Sequence, residues 1–433
     1  MISGKGAEAI ASDVEAAISA GALAPGAELP PIRELAGQLG VNANTVAAAY
    51  RLLRQRGAVE TAGRRGTRVR TRPATTPRSL RGITVPPGAR DLSTGNPNPA
   101  LLPIAGFSMR AGAPTLYGDS PLSAELAEFG RTSLAADGVP AEHIAVTAGA
   151  LDGIERVLAA HLRPGDRVAV EDPGWANLLD LLAALGLSAE PVRVDDDGPL
   201  TDDVARVLRR GVRALVLTTR AQNPTGAAVS HARAQQLRGL LVEHDDVLLI
   251  EDDHCAGIAG APLHALSGTT RHRAFVRSAA KAYGPDLRLA LLAGDGRTVE
   301  RVQGRLRLGP GWISHLLQNL AVSLWRDEAA TQLVHDAEGA YARTRELLCA
   351  ALSDRGVTSH GRSGLNVWIP VADETVSITR LLSTGWAAAP GTRFRISSPP
   401  GMRITISGLA ADDIDALADA ITEAVLAVGR ASV

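Results

Sequence analysis

Lysine is almost absent from this chain. Of its 45 basic residues only two are lysine, Lys5 and Lys281; the other 43 are arginine. Arginine cannot lose its proton and attack a carbonyl, because its pKa is too high. A lysine kept among so many arginines is a candidate Schiff-base residue; the other reading is an accident of a GC-rich composition, and the neighbours of Lys281 have to decide. Cysteine is equally scarce. Cys255 and Cys349 make no disulfide framework and neither has metal-ligand spacing, so no metal site is expected. No apolar run reaches the roughly 18–20 residues of a membrane span. The opening Met-Ile-Ser-Gly-Lys-Gly-Ala-Glu carries no signal-peptide pattern. These absences lead to the expectation of a protein of the reducing cytoplasm.

What is present suits a globular chain: 45% of residues are hydrophobic and 21% charged. A length of 433 residues suggests two or three domains. The net charge of −1 hides an asymmetry. Residues 1–80 hold 11 basic and 6 acidic residues, and the rest hold 34 and 40. A small basic head on an acidic body points to a polyanionic partner for the head.

Residues 1–70 read as one domain. Ile10, Val14 and Ile18 repeat every four residues. Ile32, Leu35, Ala36 and Leu39 follow the stripe of an amphipathic helix. After Gly40 a third helix opens on Asn42 as N-cap, with Val46, Tyr50 and Leu53 on its inner face. The short gap around Gly40 suits a helix-turn-helix. Two β-prone pieces, Ala58–Thr61 and Thr67–Arg70, flank the tight turn Gly63-Arg64-Arg65-Gly66. A basic hairpin after a helix-turn-helix is a winged helix, an arrangement that fills the DNA major groove and touches phosphates at its flank. Leu29-Pro-Pro-Ile-Arg-Glu-Leu-Ala and Leu39-Gly-Val-Asn-Ala-Asn-Thr-Val-Ala-Ala-Ala-Tyr resemble the GntR family of regulators. That resemblance implies double-stranded operator DNA as partner. Arg33 would contact the backbone or a base edge, Asn44 and Thr45 would face the groove, and Arg64 and Arg65 would grip the flank. Ala43 departs from the family, which has a long polar residue there.

Residues 71–90 hold four prolines, Pro73, Pro77, Pro86 and Pro87, with Arg72, Arg78, Arg81 and Arg90. They read as a semi-extended linker, able to span roughly 60 Å at about 3.3 Å per residue.

The body, residues 91–433, alternates apolar runs with helical stretches such as 175–186 and 231–244. Arg167–Glu171, Ala214–Thr218, Val247–Asp252, Phe275–Ser278 and Leu289–Ala293 read as short buried strands. This predicts an α/β fold with a mostly parallel sheet, whose ligands sit beyond the carboxyl ends of the strands. There fall Asn223-Pro224-Thr225-Gly226, then Glu251-Asp252-Asp253-His254, then Ser278-Ala-Ala-Lys281 with Arg288 seven residues on. Each motif alone is an ordinary turn or strand end. Their order and spacing resemble the fold type I pyridoxal-phosphate enzymes. With the head attached, the chain is identified as a member of the MocR subfamily of GntR regulators. The opening residues and the Asn-Thr-Val-Ala-Ala-Ala-Tyr helix are similar to its vitamin-B6-linked branch. The resemblance implies a seven-stranded, mostly parallel sheet with helices on both faces (large subdomain about 115–300) and a smaller C-terminal α+β subdomain (about 310–433).

It also implies pyridoxal 5′-phosphate as cofactor, with roles for individual residues. Lys281 would join the cofactor aldehyde as an aldimine. Asp252 would sit beside the pyridine nitrogen; a carboxylate at about 4 Å is worth roughly 4 kcal/mol at an effective dielectric of 20, or near three pKa units, which keeps the ring an electron sink. Asn223 would donate to the ring hydroxyl oxygen and Trp175 would stack on the ring. Gly149 and Ala150, at a helix start, would hold the phosphate with Ser278 and Arg288. Tyr117 resembles the tyrosine that reaches that phosphate from the second subunit, and Arg403 the arginine that clamps an α-carboxylate. His254 stands where relatives carry a tyrosine donating to the ring hydroxyl oxygen; histidine can still donate there, and would bind the cofactor in its place, but it titrates near neutrality. Ala150 and Leu151 replace a polar pair of the phosphate cup, and Leu122 stands where the loop after Tyr117 usually has glycine. Cys255, beside the site, is expected to be structural. The expected function is a pyridoxal-phosphate-dependent transcriptional regulator that senses the cofactor or an amino compound through Lys281. It would act as a homodimer with each head swapped onto the other subunit. The alternative is a working aminotransferase with an accessory DNA-binding head.

Overall fold

The structure is a computed structural model of the 433-residue chain; it describes residues 2–24, 26–55, 58–61, 66–69, 77–78, 84–103 and 115–429. The chain divides into two compact units, a smaller one of Met1–Thr75 with Leu162–Asp166 and Asp180–Ser188, and a larger one of the remaining residues; the head falls within the smaller unit and most of the body within the larger. Among the described residues no helix is long and apolar enough to cross a membrane.

The head packs three helices, α1 (Ala7–Ser19), α2 (Ile32–Leu39) and α3 (Ala43–Gln55), with an antiparallel hairpin of β1 (Val59–Thr61) and β2 (Thr67–Val69). Gly40 ends α2 with φ +66°, the left-handed cap that glycine adopts without strain. Two residues later the Asn42 side chain accepts a hydrogen bond from the Asn44 amide at 2.8 Å and starts α3. Ile10 and Val14 from α1, Leu35 from α2, Val46, Tyr50 and Leu53 from α3, and Val59 and Val69 from the hairpin form one core. Tyr50 also donates from its hydroxyl to the Pro30 carbonyl at 2.7 Å, tying the entry of α2 to α3. The stripe read across α2 fails only at its first residue: Ile32 is 36% exposed, and the core begins at Leu35. Arg64, Arg65 and most of the linker lie outside the described residues.

The body is built on one sheet of eight strands: β3 (His143–Thr147), β4 (Arg167–Asp172), β5 (Ser188–Asp195), β6 (Gly198–Pro199), β7 (Ala214–Thr218), β8 (Leu248–Asp253), β9 (Arg273–Ser278) and β10 (Ala290–Gly294), in the order β3-β10-β9-β8-β7-β4-β5-β6. Strands β4, β7, β8 and β9 run parallel, while β10 is antiparallel to both neighbours. All five residues of β7 are buried, as expected where helices cover both faces. The expected seven strands become eight because Gly198–Pro199 turns back on the end of β5 as a two-residue edge. Before and between the strands come α4 (Ala124–Ala136), α5 (Ala150–His161), α6 (Ala176–Ala184), α7 (Thr201–Arg209), α8 (His231–Val242) and the one-turn α9 (Ala280–Tyr283). Helices α10 (Gly296–Arg307), α11 (His315–Arg326) and α12 (Glu328–Asp354) follow. They lead to a three-stranded sheet of β11 (Asn366–Pro370), β12 (Ala389–Pro390) and β13 (Gly401–Thr405), with α13 (Glu374–Ser383) and α14 (Ile414–Gly429). Leu348, Leu352, Val367, Ile369, Met402, Ile404, Leu417 and Ile421 are buried together in this second core.

Candidate functional site

A cavity of about 470 Å³ opens at the carboxyl ends of β8 and β9, within the roughly 300–1,000 Å³ usual for small-molecule sites. Lys281 projects into it from α9, in the turn that follows β9. Its Nζ donates to the Gly95 carbonyl at 2.5 Å. Burial holds the Lys281 pKa below the usual lysine value; Cys255 opposes that shift and Arg403 adds to it. An amine that sheds its proton more readily is the nucleophile a Schiff base needs.

Asp252, near the end of β8, is only 3% exposed. Its Oδ2 accepts a hydrogen bond from His254 Nδ1 at 2.9 Å, and its Oδ1 is buried with no hydrogen-bond partner among the described residues. A buried carboxylate oxygen left without a donor calls for one, and the N–H of a protonated pyridine is such a donor. His254 lines the cavity, with its Nδ1 bonded to Asp252. Trp175 lines the cavity too, its ring 6.3 Å from that of His254 and within 21° of parallel. Asp172 places it: this carboxylate accepts from the amides of Ile396, Ser397 and Ser398 and from both serine hydroxyls, pinning the Asp172-Pro-Gly-Trp turn to the loop after Phe394.

The phosphate end is built from the start of α5. Gly149 has φ +95°, and a Cβ there would come within 3.0 Å of Arg288 Nη2. Arg288 in turn donates to the Ala148 carbonyl at 3.0 Å. Ala150, Ser278 and Arg288 all line the cavity. The result is a cradle of helix-start amides with a guanidinium and a hydroxyl beside it, a donor set for a phosphate dianion.

Arg403, on β13, is 4% exposed and brings the small sheet to the cavity. It donates to Asn223 Oδ1 at 2.9 Å and to the Ser93 carbonyl at 2.6 Å, and stacks over Phe394 at 4.9 Å. The bond to Arg403 fixes Asn223 with its amide nitrogen as the end able to donate. Burial lowers the Arg403 pKa to about 9; neighbouring Arg393 adds to the shift and Asp91 opposes it.

Sequence reasoning missed the segment Ser93–Asn96, which forms one wall of the cavity. Thr405 Oγ1 accepts from the Gly95 amide at 3.0 Å, and the Thr405 amide donates to the Leu92 carbonyl, so the segment is laid along β13. It missed Arg393 and Asn366, also in the lining. Cys255, expected to be structural, is buried and lines the cavity. Tyr117 does not line the cavity; it is 94% exposed, its ring centroid 5.6 Å from that of Trp312 in an edge-on contact. In the head, Arg33 and Asn44 are exposed and Thr45 is half-buried at the start of α3.

Residues 96–421 match the family described as aminotransferase class I and II, and residues 7–69 match the bacterial regulatory proteins of the gntR family. The chain is 40% identical to the vitamin B6 salvage pathway transcriptional repressor PtsJ of Salmonella typhimurium, over 98% of this chain and 99% of that one. It is 31% identical to the pyridoxine biosynthesis transcriptional regulator PdxR of Corynebacterium glutamicum, over 58% of each chain. Among solved structures, the α-aminoadipate aminotransferase LysN of Thermus thermophilus, complexed with N-(5′-phosphopyridoxyl)-L-leucine, matches with a TM-score of 0.70 at 19% identity, over 82% of this chain and 97% of that one. The cofactor of this family is pyridoxal 5′-phosphate. The unpartnered Asp252 oxygen and the Gly149 cradle fit it. The chain belongs to the MocR-type regulators, in which a gntR-family DNA-binding head and an aminotransferase class I and II domain share one polypeptide.

Proposed function

We propose that the body reports the supply of pyridoxal phosphate, or of an amino compound that reacts with it, to the head through Lys281. The observation that carries this reading is a lysine of lowered pKa in one cavity with Arg288, which lies against Gly149, and with His254, which is bonded to a buried, half-satisfied aspartate, in a chain whose head is a regulator's. Bound there, the cofactor supplies an aldehyde and an electron-withdrawing ring. The protein's own residues do the rest. Asp252 holds the ring-nitrogen proton, Asn223 donates to the ring hydroxyl oxygen, and Trp175 covers the ring. Gly149, Ala150, Ser278 and Arg288 hold the phosphate, and Arg403 offers its guanidinium to a carboxylate. A ligand acts on the head only if it binds one arrangement of the molecule better than another. By likeness to the vitamin B6 repressor, the regulated genes are vitamin-B6-linked.

The regulator is a homodimer, with each head carried over the other subunit and Tyr117 reaching the partner's phosphate site. Leu116, Tyr117, Leu308 and Leu316 support this reading: all are exposed, on segments joined through the Tyr117–Trp312 ring contact and the His315 bond to the Ser120 carbonyl. In the head, Arg33, Asn44, Thr45, Arg64 and Arg65 contact the operator.

The test is a mobility shift with the gene's own upstream DNA, with and without pyridoxal phosphate. Salt-sensitive binding whose affinity changes with the cofactor, and no longer changes in Lys281→Ala, is expected. Binding indifferent to the cofactor refutes the sensor. Steady turnover of an amino acid with a keto acid, lost in Lys281→Ala, would make the body a working aminotransferase instead.

A further inference from the structure

The sequence Asp252-Asp253-His254 carries β8 out of the sheet and into the cavity wall. Side chains alternate along a strand. Asp253 takes the opposite side, where Arg220 and Arg277 hold its carboxylate at 2.8 and 2.9 Å. His254, two residues after Asp252, turns back so that Nδ1 donates to Asp252 Oδ2 at 2.9 Å. The other Asp252 oxygen is the buried one without a partner. An imidazole has a nitrogen next to its attachment carbon and can reach a carboxylate two residues back. A phenol carries its hydroxyl at the far end of the ring and cannot.

We infer that His254 is a positioning residue for Asp252. By donating to Oδ2 it holds the carboxylate turned, so that Oδ1 alone is offered to the ring nitrogen of the cofactor. Its Nδ1 is thereby committed to Asp252, while Asn223 offers its amide to the ring hydroxyl oxygen. The inference rests on the cofactor reading above and adds a role that the fold's usual tyrosine cannot fill. A hydrogen bond to a charged group is among the stronger ones in proteins, and a carboxylate held on one side loses less freedom when a ligand takes the other. The surroundings favour the arrangement. Burial disfavours the imidazolium, but Cys255 and Asp252 outweigh it and hold the His254 pKa well above 6.5. The remaining charged groups of the cavity are Lys281 on α9, Arg288 before β10, Arg393 before Phe394 and Arg403 on β13.

The experiment compares the affinity for pyridoxal phosphate of the full chain with that of His254→Asn, His254→Tyr, Asp252→Asn and the double variant Asp252→Asn/His254→Tyr. An asparagine amide nitrogen can take the place of Nδ1, so His254→Asn is expected to bind within about threefold of the native chain. His254→Tyr is expected to lose about tenfold. In the Asp252→Asn background the tyrosine should cost nothing further, since the two residues act as one unit. A tyrosine variant that binds like the native chain, or losses that simply add, would overturn the inference. A second readout needs no cofactor. In the unloaded protein the His254 ring should titrate above 6.5 by NMR and fall when Asp252 becomes asparagine; an unmoved ring also overturns the pairing. If the native chain takes up no pyridoxal phosphate at all, the cofactor reading falls and this inference with it. Uptake with additive losses sinks the inference alone.

Discussion

Arg288 lies against the bare Cα of Gly149, so close that a methyl group there would come within 3.0 Å of its Nη2. Gly149 also has φ +95°, a conformation that costs a residue with a Cβ about 1–2 kcal/mol. Gly149→Ala is therefore expected to disturb both the helix-start amides and the guanidinium beside them. The affinity for pyridoxal phosphate should fall about tenfold or more, since about 1.4 kcal/mol is a factor of ten. Affinity for pyridoxal, which lacks the phosphate, should change much less. Equal losses for the two ligands in a titration would show that this glycine does not belong to a phosphate cradle.

The legible parts of this molecule are those where one residue type has one job. Lys281 stands out because lysine is otherwise nearly absent. Asp252 and Asn223 stand out because buried apolar runs end just before them, and the strand ends of a parallel sheet face the ligand. Other parts are illegible for physical reasons. Ser93–Asn96 carries no motif, and its composition does not say which cavity it lines; the bonds from Arg403 to Ser93 and from Gly95 to Thr405 do that. Arg393 is hidden among 43 arginines. The His254–Asp252 bond depends on a side-chain torsion, which no spacing rule predicts. The strands His143–Thr147 and Ser188–Asp195 escape a reading of apolar runs, the latter because its residues are mostly half-exposed and it lacks the apolar run of an inner strand.

A pH dependence of stability follows from Glu171. Burial raises its pKa to about 7, against hydrogen bonds from Thr218 and Gln222 that lower it, while Asp252 pushes it further up. A carboxyl whose folded pKa lies above its unfolded value of 4.5 binds its proton more tightly in the folded state. Its contribution is thus fully present below pH 4.5 and lost as pH rises through about 7. Glu171→Gln removes that titration. The variant's stability by urea denaturation should be flatter than the native chain's between those limits, by on the order of 1–3 kcal/mol. Parallel curves would mean that Glu171 is ionised throughout.

The exposed leucines at the C-terminal end of α10 and the start of α11 give a prediction about assembly. Leu308 is 90% exposed and Leu316 57%, on segments that also hold Trp312 against Tyr117. Large exposed apolar groups in one region mark contact surfaces. Leu308→Glu with Leu316→Glu is expected to shift the protein from dimer to monomer in sedimentation velocity while leaving its circular dichroism unchanged. Pyridoxal phosphate affinity should fall as well if Tyr117 serves the neighbouring subunit. A variant that stays dimeric would place the interface elsewhere.

Asn44 and the wing arginines should fail in different ways on DNA. Asn44 is exposed at the start of α3, and the cap there is formed by its own amide on the Asn42 side chain. Asn44→Ala therefore keeps the cap and removes only the outward amide. If that amide reads a base edge, affinity for the operator should fall by about 1–3 kcal/mol while affinity for unrelated DNA holds. Arg64→Ala with Arg65→Ala should instead weaken binding to every sequence alike. The slope of log affinity against log salt should become shallower, by about 0.9 for each phosphate that is no longer neutralised. Fluorescence anisotropy on operator and scrambled duplexes at several salt concentrations separates the two. If Asn44→Ala weakens both duplexes equally, it touches backbone and not bases; if the double arginine variant keeps the native slope, the hairpin tip does not reach the phosphates.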